Sequence, residues 1–266
     1  MIMQEDEHIE NWQNTVDSLK ICVVIPAYNN CGTIVEVVRS VLVYCPNVIV
    51  VCDGSTDDTD QVLRDASLPV QVIAYKPNRG KGVALSQGFR AALSQGFRYA
   101  ITLDADGQHR ADDLPAMVEQ IAAEPGALVL GCRGLRHDNM PLKNTFANRC
   151  SNFWFTVQTG LRLPDTQTGY RCYPLFRMGK MRLLTTRYEA ELEMLVRCVW
   201  RNIPVKSVPI QVYYPPSDKR VSFFRPVRDF MRIGLLNALF CIVAVLYGYP
   251  SMRLRKVCAR KRRTEC

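Results

Sequence analysis

Two acidic residues, Asp104 and Asp106, follow the apolar run 99–103 and are separated by one residue. In an extended strand, positions i and i+2 point to the same side, so these carboxylates can converge on one point. Two converging anions favour a cation, and a hard ion such as Mg2+ or Mn2+ takes carboxylate oxygens and leaves its other positions to water or phosphate. Gln108 can add a side-chain oxygen. The segment therefore predicts a divalent metal site formed by Asp104, Asp106 and Gln108.

Three other polar turns follow apolar runs in the same way: "PAYNN", "CDGSTDD" and "KPNRGKG". Asp53 can accept hydrogen bonds from a nucleobase or ribose, and Lys81, at a predicted helix start, can meet phosphate beside free backbone N–H groups. No G-x-G-x-x-G follows the first run and no P-loop is present, which argues against an NAD enzyme. These turns predict binding of a phosphorylated ligand.

The elements that must position these residues can be read from the apolar pattern. Short β-branched runs predict strands buried on both faces. Between them, a capping box at Thr33 and Glu36 opens one predicted helix, and another places Leu85, Phe89, Ala92 and Leu93 on one face. Strand–helix alternation predicts an α/β fold with a mostly parallel sheet, whose ligands bind beyond the carboxyl ends of the strands. The predicted strands are 21–26, 48–52, 70–74, 99–103 and 127–131.

Composition favours one large domain. The chain has 266 residues, 48% of them hydrophobic, which suffices for a full core. Its 11 cysteines are scattered without a C-x-x-C pair, so we expect reduced thiols in a cytosolic setting and neither a zinc site nor a disulfide framework. Residues 1–19 are acidic and lack signal-peptide order, so we expect a leader or surface helix.

The basic charge is concentrated at the C-terminal end. The net charge is +9, and residues 219–266 carry twelve Lys and Arg against two acids. Within them, 233–249 has no charged residue but falls short of the roughly 20 residues that span a bilayer. Basic flanks on both sides favour shallow insertion into an anionic surface, with a short span as the other possibility. A core or oligomer helix with a solvated tail, or a nucleic-acid role, also fits the charge, but nucleic acid leaves the acidic turn unexplained.

Six segments together carry a family resemblance: "VVIPAYNN", "VVCDGSTDDT", "NRGKG", "LDADGQH", "LGCR" and "DTQTGYR". In this order and spacing, the chain resembles family 2 glycosyltransferases of the GT-A fold, especially bacterial members similar to dolichyl-phosphate mannose synthase. The resemblance covers roughly residues 20–235. It implies a GT-A domain with a Rossmann-like sheet (20–226). The charge and apolar patterns add a leader (1–19), a membrane-associating segment (227–250) and a basic tail (251–266).

The resemblance assigns roles to individual residues. Asp104, Ala105 and Asp106 correspond to the motif for metal and diphosphate, with Gln108 beside it, and Arg133 to a residue facing the acceptor phosphate or the sugar. Asn30 and Cys52 depart from the usual Glu and Asp, which leaves the donor base open between uridine and guanosine. The remaining correspondences are a nucleotide pocket of Pro26, Ala27, Tyr28 and Asp53, and a basic loop with Arg220 and Ser222 that closes over the diphosphate.

The resemblance also implies inversion by one in-line displacement. A hydroxyl acceptor would need a general base, for which Asp165, Glu189 and Glu191 are candidates, whereas a phosphate acceptor is already anionic. The alternatives are a solvated helix face for Glu191 and Glu193, and a turn cap for Asp165. Cations near this stretch, compatible with an anionic lipid head group, are Lys143, Arg149 and Arg171.

We therefore expect a metal-dependent glycosyltransferase at the cytoplasmic face of a membrane. Its donor is a UDP- or GDP-sugar, its cofactor Mg2+ or Mn2+, and its favoured acceptor a polyprenyl phosphate. The alternatives are the same donor chemistry on a hydroxyl-bearing glycan or glycolipid, and a non-catalytic lipid- or nucleic-acid-binding protein on the same fold. We expect no nucleic-acid partner, and the oligomeric state stays open.

Overall fold

The computed structural model describes residues 12–133, 142–179, 181–213 and 226–255, with side chains for 12–133, 147–179, 181–213 and 231–255. The strands are β1 Ile21–Ala27, β2 Val48–Asp53, β3 Gln71–Tyr75, β4 Tyr99–Thr102, β5 Leu128–Arg133, β6 Arg171–Pro174 and β7 Val205–Ile210. The helices are α1 Ile34–Tyr44, α2 Thr59–Asp65, α3 Lys81–Ser94, α4 Leu114–Ala123, α5 Leu142–Thr159, α6 Leu175–Met178, α7 Glu189–Trp200 and α8 Pro226–Val243. Residues 12–18 are also helical.

The strands form one sheet in the order β3-β2-β1-β4-β6-β5-β7. β6 runs antiparallel to both of its neighbours, and the other pairs are parallel. The five predicted strands and the mostly parallel α/β fold are confirmed. Burial on both faces holds for β1, β2 and β4 but was wrong for β3, whose outer position in the sheet leaves much of it exposed.

Helices cover both faces of the sheet and divide the core into two layers. One layer packs α1 and α4 on the sheet, and the other packs α3, α7 and α8 on the opposite face. Gly88 lets α3 approach closely, because a Cβ at this position would collide with Val24 of β1. The sheet is therefore covered on both sides, and its strand ends remain as the place where polar side chains can gather.

Two details of the predicted helices were wrong. Thr33 precedes α1 but makes no side-chain cap, because its hydroxyl donates to the carbonyl of Ala105 at 2.6 Å. This bond joins the start of α1 to the turn after β4. On α3, Leu93 is 46% exposed rather than buried with Leu85. A residue whose sequence context predicts a local helix cap can therefore form a long-range hydrogen bond instead.

α8 continues through a π-helical turn, Ala244–Gly248, to residue 255. One face packs on the domain, where Gln158 donates to the side chain of Asn237 at 2.9 Å and Phe240 stacks near Trp200. Within the described residues, Met231–Arg255 is the one helix long and apolar enough to cross a membrane, and 28% of its most apolar window is buried. The opposite face carries an apolar stripe that is largely exposed: Met231, Leu235, Leu239, Ile242, Val245 and Leu246.

Candidate active site

The predicted polar turns meet at one edge of the sheet. β1 and β4 are adjacent parallel strands, so their carboxyl ends, at Ala27 and after Thr102, lie on the same edge. Leu103 extends β4 by donating its N–H to the carbonyl of Val24. Parallel pairing therefore brings sites far apart in the sequence to a common edge, as the sequence predicts.

Lys81 is the centre of this edge. Its ammonium lies 2.7 Å from Asp104 Oδ1 and 2.9 Å from Glu191 Oε2, and its side chain is only 16% exposed. Burial would lower the pKa of Lys81, but the charges of Asp104 and Glu191 outweigh burial and raise it. Lys81 is thus a permanently charged cation between two carboxylates, one after β4 and one on α7.

The two carboxylates among the three predicted metal ligands differ in their pKa shifts. Burial raises the pKa of Asp106 to about 6, helped by the charge of Asp104. Burial also acts to raise the pKa of Asp104, but the charge of Lys81 brings it below its usual range. Asp106 Oδ1 accepts the backbone N–H of Gln108 at 3.0 Å, which orders the turn.

These residues fit a divalent cation bound together with a diphosphate. Two neighbouring carboxylates that disfavour each other's charge would be relieved by a cation between them. The described residues contain no group of three His, Cys, Asp or Glu side chains that would hold a metal alone. Asp104 and Asp106 therefore suit an ion whose remaining ligands are water and phosphate oxygens.

Asp53 makes structural hydrogen bonds to the turn that follows β3. Its carboxylate accepts the backbone N–H groups of Arg79 and Gly80, each at 2.7 Å. Its carbonyl accepts the side chain of Asn78 at 2.9 Å. Asp53, only 3% exposed, thereby fixes the turn that leads into Lys81. Its predicted contact with nucleobase or ribose stays a prediction.

The loop 165–169 closes the site from the other side. Gly169 packs so closely that a Cβ here would lie 2.5 Å from Asp104 Oδ2 and 3.0 Å from Lys81 Nζ. At the other end of the loop, Thr166 bonds to Ser151 at 2.8 Å and its N–H donates to Asn152 at 3.0 Å, both on α5. This loop therefore connects α5 to the charged cluster.

Arg133 and Asp165 form a bidentate ion pair. Arg133 Nε lies 2.6 Å from Asp165 Oδ2, and Nη2 lies 2.9 Å from Oδ1. Asp165 also accepts the N–H of Gln167 at 3.0 Å, which is the turn cap that the sequence offered as an alternative. Although burial opposes ionisation, the bonds to Arg133 lower the pKa of Asp165. This geometry favours a role in orienting Arg133, and the role of general base stays a prediction for Asp165.

Arg171 is a buried structural residue and is not exposed to an acceptor. It is 1% exposed, and its guanidinium donates to the carbonyls of Thr168 at 2.7 Å, Thr166 at 2.9 Å and Glu191 at 2.6 Å. Three carbonyl acceptors compensate the burial of this charge. Arg171 therefore ties the loop to α7. The sequence carried no signal for this role, because carbonyl acceptors do not depend on residue type.

The acidic face of α7 is buried, so the alternative of a solvated face for Glu191 and Glu193 is wrong. Glu189, Glu191 and Glu193 are 5%, 7% and 0% exposed. Glu193 is occupied by the backbone N–H groups of Leu184 and Thr185 and by Arg197. Glu189 and Glu191 each keep one buried carboxylate oxygen without a hydrogen-bond partner. Both therefore stay predictions as catalytic residues.

The remaining predicted residues are spread around this edge or fall outside the description. Pro26 and Ala27 end β1. Tyr28 follows the strand, and its N–H donates to the side chain of Asn30 at 2.9 Å. Arg149 is exposed on α5. The side chain of Lys143 and the residues Arg220 and Ser222 lie outside the described part of the chain.

Known proteins resemble this chain in sequence and in fold. The model of glycosyl transferase family 2 matches residues 22–184. The chain is 28% identical to a UDP-N-acetylglucosamine–dolichyl-phosphate N-acetylglucosaminyltransferase of Methanococcus voltae (73% of this chain, 86% of that protein). It is also 28% identical to a polyprenol monophosphomannose synthase of Mycolicibacterium smegmatis (71% and 75%). Glucosyl-3-phosphoglycerate synthase of Mycobacterium tuberculosis, solved with Mn2+, UDP-glucose and phosphoglyceric acid, shares the fold at a TM-score of 0.65 and 18% identity (89% and 83%).

Proposed function

The chain belongs to glycosyl transferase family 2, and from this premise we propose that it transfers a sugar from a UDP- or GDP-sugar onto a polyprenyl phosphate at a membrane surface. It is a glycosyltransferase with a GT-A fold that acts on a nucleotide sugar. The names of two relatives support a lipid phosphate as acceptor, because one contains dolichyl phosphate and the other polyprenol monophosphomannose.

One observation carries the donor part of this proposal. Lys81, Asp104 and Glu191 form a buried charged cluster at the carboxyl ends of the strands. A cation beside two carboxylates suits a site where a diphosphate arrives with a divalent ion, since the ion balances the added negative charge. Asp104, Asp106 and Gln108 would hold that ion, which supplies positive charge to the diphosphate. Lys81 adds a second positive charge, and Asp53 holds the turn that presents it.

The chemical step needs no proton transfer when the acceptor is a phosphate. An acceptor oxygen forms a bond to the anomeric carbon while the bond from this carbon to the diphosphate breaks. The nucleoside diphosphate leaves with the electron pair, and Lys81 stabilises the charge that develops on it. Arg133, oriented by Asp165, is the proposed contact of the acceptor phosphate, with Lys143 and Arg149 as further cations. Arg220 and Ser222 are the proposed cover of the diphosphate.

The apolar stripe on the C-terminal helix supports the membrane part. It lies opposite the face that packs on the domain, and exposed Arg253 and Arg255 follow it. An apolar surface next to cations is suited to an anionic bilayer surface. The cytoplasmic face is the proposed side of the membrane. The helix is proposed to lie along the surface, because a helix that crossed the bilayer would leave the domain and break the hydrogen bond between Gln158 and Asn237.

A transfer assay tests this proposal. Labelled UDP- and GDP-sugars are offered with a polyprenyl phosphate in detergent or vesicles, with Mn2+ or Mg2+. We expect transfer from one donor class, lost after chelation of the metal and reduced more than about 100-fold in Asp106→Asn. Asp112→Asn, at a surface ion pair with Arg110, is the matched control and should stay active. Transfer to saccharides alone would replace the lipid-phosphate acceptor with a hydroxyl acceptor.

A further inference from the structure

The buried polar atoms without a partner in the described residues include atoms of three side chains that are linked through the loop 165–169. Asn148 is 1% exposed and lacks a partner for both its amide nitrogen and its amide oxygen. Glu189 Oε2 and Glu191 Oε1 are likewise buried and unpaired. A buried polar group without a partner destabilises a folded protein, so the presence of these groups calls for an explanation. A bound ligand that completes these hydrogen bonds is one.

The contacts of the loop 165–169 connect these three side chains. Asn148 lies three and four residues before Ser151 and Asn152, hence on the same face of α5, which bonds to Thr166. Arg171 joins Thr166 to Glu191 through their carbonyls. Asn148 is therefore connected to the first turn of α7 through the loop 165–169 and the guanidinium of Arg171.

The other end of this loop lies beside the proposed diphosphate site. Gly169 packs against Asp104 and Lys81, and the second carboxylate oxygen of Glu191 binds Lys81. The unpaired atom Glu191 Oε1 thus belongs to a side chain that already contacts the proposed diphosphate site. A group covalently attached to the diphosphate would extend from this point.

The types of the unpaired atoms define the ligand. The Asn148 amide offers donors and an acceptor, while the two carboxylate oxygens only accept. A phosphate monoester is mostly dianionic at neutral pH, so it offers almost no proton to the two carboxylates. A sugar carries several hydroxyl groups that each donate one hydrogen bond and accept others, so together they can satisfy all three side chains.

We infer that Asn148, Glu189 and Glu191 form the pocket for hydroxyl groups of the transferred sugar, with Asn148 as a sugar-binding residue. This inference rests on the proposed function and specifies how its donor site selects the sugar. It also gives the two glutamates a role in a reaction that needs no general base. A site built to bind a hydroxyl discriminates strongly against a sugar that lacks it, since the protein groups are then left unpaired.

Calorimetry on the 266-residue chain tests the role of Asn148. UDP, UDP-glucose, UDP-N-acetylglucosamine, GDP and GDP-mannose are titrated in the presence of Mn2+ into the wild type and Asn148→Leu. Leucine has a similar shape but no polar atom. We expect the variant to bind the nucleoside diphosphate as the wild type does and to lose roughly five- to tenfold in affinity for the nucleotide sugar, as expected for one or two lost hydrogen bonds.

Thermal unfolding of the ligand-free protein separates sugar binding from a structural role. Because Asn148 has no partner, Asn148→Leu should leave Tm unchanged or raise it. Asn152→Leu, one turn along α5, should lower Tm, since Asn152 accepts the N–H of Thr166 and donates to Pro164.

The outcomes distinguish failure of the proposed function from failure of the sugar pocket alone. If the wild type binds none of the nucleotides, the proposed function fails. If the wild type binds a nucleotide sugar and Asn148→Leu binds it equally well, or if Asn148→Leu lowers Tm as Asn152→Leu does, the sugar pocket fails and the donor site stands.

Discussion

The balance of charge at Lys81 dominates the site at the scale of single residues. One ammonium neutralises two carboxylates that are largely removed from water. Removing one partner of a buried ionic group is costly, because the others remain buried without compensation. The ion pair between Lys206 and Glu124 shows the contrasting case, with side chains 45% and 37% exposed. Exposed pairs of this kind contribute little.

Lys81→Met should therefore destabilise the metal-free protein by roughly 3–5 kcal/mol, and Lys206→Met by less than about 1 kcal/mol. Mn2+ should restore more stability to Lys81→Met than to the wild type, since the ion can supply the missing positive charge beside Asp104. Chemical denaturation with and without Mn2+ measures both effects. Equal stabilisation of the wild type and Lys81→Met by Mn2+ would count against a metal site at Asp104.

The ion pair between Arg133 and Asp165 should make the stability of the fold depend on pH. The pKa of Asp165 is lowered in the folded protein, so the ion pair stabilises the fold above the unfolded pKa of about 3.9 and loses this effect as pH falls. Asp165→Asn should cost roughly 3 kcal/mol at pH 7. The difference in Tm between wild type and variant should narrow below about pH 4, as Asp165 in the wild type becomes protonated. A constant difference from pH 7 to pH 3 would contradict this account.

At the scale of elements, the contact of the loop 165–169 with the turn after β4 sets the geometry of the site. Gly169→Ala would place a methyl group against Asp104 and Lys81. We expect Gly169→Ala to reduce transfer at least tenfold while the protein stays folded, because even a displacement of about 1 Å disturbs a catalytic geometry. Gly32→Ala is the matched control, since a Cβ there meets nothing within 4 Å. Equal activities of these variants would show that close packing at Gly169 is not required.

Elements with a local signal were predictable from the sequence. The apolar runs gave five of the strands, and the strand ends placed Asp53, Lys81 and Asp104 at one edge. β6 carries no such pattern, and its antiparallel insertion between β4 and β5 depends on long-range pairing. The pairings of Asp53 with Gly80 and of Arg133 with Asp165 also escaped prediction, because they join residues 27 and 32 positions apart.

At the scale of the whole molecule, the C-terminal helix separates a side that packs on the domain from a side that faces outward. The triple variant Leu235→Gln, Ile242→Gln, Leu246→Gln changes residues that are 74%, 60% and 75% exposed, so the fold should tolerate it. Because burial of each leucine or isoleucine contributes about 1.5–3 kcal/mol, we expect more than a tenfold loss of binding to anionic vesicles in a sedimentation assay.

A matched control changes exposed apolar residues elsewhere. Val43→Gln with Leu184→Gln, at positions 55% and 64% exposed, should bind vesicles as the wild type does. Vesicle binding of the triple variant equal to that of this control would exclude the apolar stripe as the membrane contact.

The order of the strands in the sheet bears on which parts of the site can be exchanged between related glycosyltransferases. Strands β1 to β4 occupy one side of the sheet and β5 to β7 the other, so the first and second halves of the chain do not interleave. The proposed nucleotide contacts Tyr28 and Asp53 belong to the first half, and Arg133 with the C-terminal helix belongs to the second. Recombination between the halves would therefore combine the proposed nucleotide contacts of one parent with the proposed sugar pocket and acceptor contacts of the other, and chimeras joined after β4 would inherit both their sugar and their lipid preference from the second parent.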